Sequence, residues 1–251
     1  MKNINHNQIV IPLEFNVACA IYKIKVADVL QVFINHVTLF DSISSSYQEG
    51  YSEASHAIIS YIRSKESTLM PSKSMQNCSS LFSHHISEVI ILAKMKKRGW
   101  SATTKRKRAC IFVSEIFNSM QREFTSSDLL YLDEFSTLKL SADFCVICEV
   151  YNCYPKEYLE YVMGKISLAD AHAHRGLRMV YDNYIFKLFF KIAHGLGRNV
   201  TSMLNLSNVE LDFYERMEEL RLELYIIRDL NERAAILRDF YLSHYKTMNL
   251  N

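Results

Sequence analysis

Glycine and proline are scarce in this chain. Six Gly and three Pro stand among 251 residues, nine where average usage would give about thirty. Turns of sheet proteins consume both residues, and helix interiors exclude both. The deficit argues against a strand-rich fold and for an all-α, multi-helix bundle. Long apolar runs are missing as well. The most apolar helix expected, Leu177 to Ala193, is interrupted by Arg178, Asp182, Lys187 and Lys191. It reads as a core helix, and no membrane is expected as a partner. The first twenty residues, MKNINHNQIVIPLEFNVACA, hold no compact cationic region followed by an uninterrupted apolar run. No secretory signal is expected there.

Recognisable catalytic motifs are also lacking. There is no P-loop, GxGxxG, GxSxG or HExxH, so the sequence assigns no catalytic residue and no cofactor and leans away from an enzyme. Six Cys sit at 19, 78, 110, 145, 148 and 153, mostly among apolar neighbours in helix-like segments. That suits reduced, buried thiols and a cytoplasmic location. Cys145, Cys148 and Cys153 have C-x-x-C spacing plus a third thiol, but a zinc ribbon needs a second pair on a turn-rich segment. Asp170, His172 and His174 look like ligands at first. Residues i and i+2 diverge on a helix, and the Asp has a more ordinary role described below. No metal site is expected.

What the chain does have begins with an internal repeat. Residues 11–41, IPLEFNVACAIYKIKVADVLQVFINHVTLFD, align without gaps on 140–170, LSADFCVICEVYNCYPKEYLEYVMGKISLAD, at an offset of 129. Seven of 31 positions are identical: Phe15/Phe144, Val17/Val146, Cys19/Cys148, Tyr22/Tyr151, Leu30/Leu159, Leu39/Leu168 and Asp41/Asp170. The matches fall mostly on apolar positions, which predicts a shared inward face. Each copy reads as helix, short turn, helix, with Asn152 able to adopt the left-handed conformation and Pro155 suited to a first helical turn. Thr38 and Ser167 are expected to cap a third helix, and Asp41 and Asp170 three residues on give that shared Asp a capping role.

These signals suggest four segments: a helical unit over 1–62, a Ser-rich linker over 63–80, a basic helical hairpin region over 81–139, and a helical region over 140–251. The hairpin would join a helix near 80–98 to another near 101–122, with Gly99 past the first and Ser101 capping the second. Farther on, Phe213, Met217, Leu220, Leu224 and Ile227 recur at heptad spacing, and two helices over 207–247 should form a hairpin. An apolar seam of this kind packs either on the body or on a second subunit, so a homo-oligomer through Phe213–Ile227 is one expected partner.

Charge supplies the functional reading. The formal net charge is +2, yet KMKKRGWSATTKRKR, residues 94–108, holds eight Lys or Arg, and no acid occurs between Glu88 and Glu115. The first turns of the second hairpin helix are cationic on every face, which predicts that they project beyond the core. Cations there also oppose the helix dipole. An anionic partner would compensate both costs. The sequence therefore suggests a nucleic-acid-binding regulatory protein with a helix-turn-helix-like hairpin. Lys96, Lys97, Arg98, Thr103, Thr104, Lys105, Arg106, Lys107 and Arg108 are its candidate contacts. The alternative is a helical protein-interaction module whose basic hairpin only keeps it in solution.

Overall fold

A computed structural model of the chain describes residues 9–65, 79–95, 99–120, 129–132, 136–196 and 207–250. Most of the Ser-rich segment 63–80 lies outside them. The described fold is all-α apart from one antiparallel pair, β1 (Leu129–Tyr131) and β2 (Thr137–Lys139), with Leu130 opposite Leu138. Before the strands run α1 (Leu13–Ile21), α2 (Val26–His36), α3 (Leu39–Ile43), α4 (Tyr51–Ser64), α5 (Ser79–Lys94) and α6 (Ala102–Met120). After them run α7 (Ala142–Val150), α8 (Pro155–Gly164), α9 (Leu168–Gly176), α10 (Tyr184–Ala193), α11 (Asn208–Glu223) and α12 (Leu230–Leu250), with a 3₁₀ turn at Leu224–Ile226.

The offset of 129 reappears in this geometry. Helices α1 and α7 are both nine residues long and start 129 apart, as do α5 and α11, both sixteen residues long. Lys23 and Asn152, also 129 apart, are both left-handed, at φ +51° and +46°. Thr38 Oγ1 accepts from the Asp41 N–H, and Ser167 Oγ from the Asp170 N–H, so the expected caps are in place. Phe15, Phe144, Val17, Val146, Cys19, Cys148, Leu30, Leu159, Leu39 and Leu168 are all buried. These shared positions form the inward face of their helices, where lost volume is costly.

The chain divides into two compact units. One comprises Met1–Ile11 and Ala27–Val162, the other Pro12–Val26 and Met163–Asn251. Within the first unit α7 packs on α6 and α3; within the second α1 packs on α12. The first unit thus holds α3 together with α7, and the second holds α1 together with α9.

Two expectations are corrected. The apolar helix does not run from 177: Leu177 caps α9, Arg178 is left-handed at φ +60°, and Asn183 Oδ1 accepts from Phe186 N–H to start α10. Helix α4 and the strand pair lie outside the sequence expectations. Strands this short carry too few residues for a period-two pattern to register. In the seam, the Phe213 ring stacks on Phe240 at 5.3 Å and on His244 at 4.1 Å and Leu224 is buried, while Met217, Leu220 and Ile227 are half-buried. Phe213 and Leu224 thus pack on the body, one of the two arrangements expected for the seam.

The Arg233 guanidinium is buried and donates to the carbonyls of Leu224 and Ile227, the latter at 2.9 Å. It lies against Gly176, the last residue of α9, where an added Cβ would come within 2.0 Å of Nη2. Gly176→Ala should therefore destabilise the chain. The helix-propensity gain is at most about 1 kcal/mol and smaller at a helix end. Displacing the guanidinium leaves buried carbonyls unpaired, at about 1–3 kcal/mol. Chemical denaturation reads the net loss, and a variant as stable as the wild type would contradict this packing.

The start of α11 adds a pH-dependent contribution. Glu210 closes a capping box with Ser207 and pairs with Lys23 at 2.5 Å. The Lys23 and Ser207 hydrogen bonds hold its carboxyl down, to about 2, against about 4.3 for a free Glu. Its contribution is fully present above the unfolded value and is lost as pH falls through the folded one. The stability difference between wild type and Glu210→Gln should be constant near neutrality and shrink from pH about 4.3 downward. Denaturation at a series of pH values measures it, and a difference that grows on acidification would refute it.

Candidate nucleic-acid interface

The basic hairpin is built as its sequence suggests at the turn and otherwise on its first helical turns. Gly99 has φ +93°, a conformation that side chains resist. Ser101 Oγ then accepts from the Thr104 N–H at 3.1 Å and starts α6. The Arg108 guanidinium lies 4.0 Å over the Trp100 ring, a cation–π contact that ties the turn to the helix.

The expectation that α6 projects with charge on all faces is corrected at two positions. Lys105 is 8% exposed and Arg106 5%. Lys105 Nζ donates to the Met95 carbonyl, just past the end of α5. By sequence the lysine stands in the first turn of α6, where the dipole disfavours it. Its ammonium group sits at the C-terminal end of α5, where the dipole favours it. Arg106 forms a two-pronged pair with Asp41, its Nη2 at 2.6 Å from Oδ1, and lies 3.7 Å over the Tyr51 ring. Asp41 is closed on its other side by the Thr38 hydroxyl at 2.5 Å. Neither cation is available to a phosphate.

A second buried carboxyl adjoins this pair. Asp143, from α7, accepts from the Leu39 N–H at 2.9 Å and from the Cys110 thiol at 3.5 Å. Burial raises its affinity for a proton. Burial likewise pushes the Cys19 and Cys110 thiols up to about 12 and raises Cys148, which disfavours their thiolate forms. His172 meets the Tyr241 hydroxyl, and His174 meets the Asp170 carbonyl at 2.7 Å. Among the described residues no three His, Cys, Asp or Glu are grouped to hold a metal ion, and no helix is long and apolar enough to cross a membrane.

What remains on the surface is one face of α6. Thr103, Thr104, Lys107 and Arg108 are all exposed. Their i, i+1, i+4, i+5 spacing places them side by side. Lys94, at the end of α5, is exposed too. Lys96, Lys97 and Arg98 lie outside the described residues. The sequence signal that could have separated the buried cations from the exposed ones was present: extending the apolar stripe backward from Ala109 lands on Lys105 and Arg106. A stripe position occupied by a cation marks a buried partner as readily as it marks the end of the core.

Comparison with protein-family models, with curated proteins and with solved structures finds no match to this chain.

The two classes of cation should separate by mutation. Arg106→Ala strands the Asp41 carboxylate in the interior and should cost about 3–5 kcal/mol. Lys107→Ala should fall within about 0.5 kcal/mol of wild type, as surface changes usually do. Urea denaturation of both variants checks this, and equal costs would mean that the burial assignment is wrong.

Proposed function

We propose that this chain binds nucleic acid through phosphate contacts made by the exposed face of α6. The observation that carries the reading is that face: Lys107 and Arg108 beside two hydroxyls, Thr103 and Thr104, inside a window free of Asp and Glu from 89 to 114. Lys94 extends the positive surface across the turn. The buried Lys105 and Arg106 act as anchors that fix α6 to its unit, so a ligand would meet a rigid helix. Phosphate contacts of this kind give orientation and salt dependence rather than sequence reading. The two threonines offer only weak discrimination among bases. A regulatory role in the cytoplasm extends the same reading.

A specific observation favours a second reading, a protein-interaction module. Leu222, Tyr225 and Ile226 are close in sequence at the end of α11, each about three-quarters exposed. Apolar groups gathered at one surface point to a protein partner more than to a polyanion.

Titration of labelled duplex and single strand at several salt concentrations decides between them. Each phosphate contact on duplex DNA contributes about 0.9 to the log–log salt slope, so Lys107→Ala with Arg108→Ala should flatten it by about 1.8. Wild-type protein without salt-dependent binding at low ionic strength would end the nucleic-acid reading and leave the interaction module.

A further inference from the structure

The second unit carries an open groove that the nucleic-acid reading does not use. Its rim begins where α9 ends. Arg175 stands in the last turn of α9, and Arg178 follows three residues on. Both are exposed, and among the described residues neither has a carboxylate partner. The nearby Lys187 is engaged with Asp182 at 2.7 Å. The floor is apolar: Met179 from the turn, with Phe186 and Phe190 from successive turns of α10. Phe190 remains 39% exposed. The groove holds about 440 Å³, within the usual span for small-molecule sites of about 300–1,000 Å³.

The backbone gives a second, independent observation. Arg178 adopts φ +60°, which a side chain enters only with strain. A glycine would relax this turn. Keeping an arginine there keeps a guanidinium at the mouth of the groove, and strain of this kind gathers at ligand clamps.

We propose that this groove binds a small aromatic anion. Arg175 and Arg178 clasp its phosphate or carboxylate, and Phe186 and Phe190 receive its ring. Guanidinium groups suit such head groups because their paired N–H donors match two anionic oxygens. The exposed part of Phe190, beside the half-buried Phe186, gives a flat body the apolar contact that a bare ion does not need.

The test is calorimetric titration of the full chain with 1-naphthyl phosphate, 1-naphthol and inorganic phosphate. The aryl phosphate should bind at least about tenfold more tightly than either fragment, since each lacks one half of the site. Arg178→Gly should weaken it by about tenfold or more while the Tm stays equal or rises, because glycine accepts the left-handed backbone. Arg175→Gln, on a regular helical turn, should show the same loss of affinity and provides the reading if Arg178→Gly fails to fold. The proposal is overturned if 1-naphthol binds as tightly as the aryl phosphate, if the aryl phosphate does not bind up to millimolar concentration, or if the arginine variants that fold keep wild-type affinity.

Discussion

The first unit depends on two cations buried at the start of one helix. A buried charge survives only when paired or fully hydrogen-bonded, so Lys105 and Arg106 dictate what surrounds them. Lys105 requires a carbonyl and takes Met95, which fixes how α5 ends and where α6 begins. Arg106 requires a carboxylate and takes Asp41, which fixes α3 against α6. Asp41 in turn is set by the Thr38 cap, and the Asp143 carboxyl from α7 closes on the first N–H of α3. Four helices are tied together by groups that cannot be released singly without leaving a charge unpaired in the interior. Hydrophobic burial supplies most of the stabilisation, but these polar contacts select one arrangement from the many that apolar helices allow.

The second unit meets the same requirement with different residues. Arg233, in the first turn of α12, donates to Leu224 and Ile227 beyond the end of α11, as Lys105 donates beyond the end of α5. Met95 and Leu224 stand 129 apart, and Lys105 and Arg233 stand 128 apart. The carboxylates diverge. Asp170, the counterpart of Asp41, faces Arg238 at 3.5 Å, and Arg238 also pairs with Glu14 at 2.5 Å. Glu14 is the counterpart of Asp143. This cluster is half-exposed where that of the first unit is buried. Both units thus set a cation at a helix end, while the first carboxylate cluster is buried and the second half-exposed.

Much of the fold was legible because its determinants are local. Helix caps at Thr38, Ser101 and Ser167, the turns at Gly99 and Asn152, and the heptad seam from Phe213 all rest on residues within a few positions of one another. The buried state of Lys105 and Arg106 was not legible, because their partners lie ten and sixty-five residues away in sequence. Charge was read as exposure, the more frequent case. The groove beside Arg178 was hidden for a related reason. Arg178 looked like an interruption of an apolar helix, and only its left-handed backbone shows that the helix is broken there.

The same distinction limits what a cluster of basic residues implies. Of the eight cations in 94–108, Lys105 and Arg106 are buried and stabilise the fold, while Lys94, Lys107 and Arg108 are the exposed ones among the described residues. Arg108 is itself steered by the Trp100 ring. That steering has a consequence for recognition. A guanidinium held over an indole loses little further freedom when it meets a phosphate, so less ordering entropy opposes binding. Lys107, with no such support among the described residues, would have to be ordered by a bound phosphate itself. The exposed face of α6 is therefore unequal along its length, with one preset cation and one adaptable cation on neighbouring rows of a single helix.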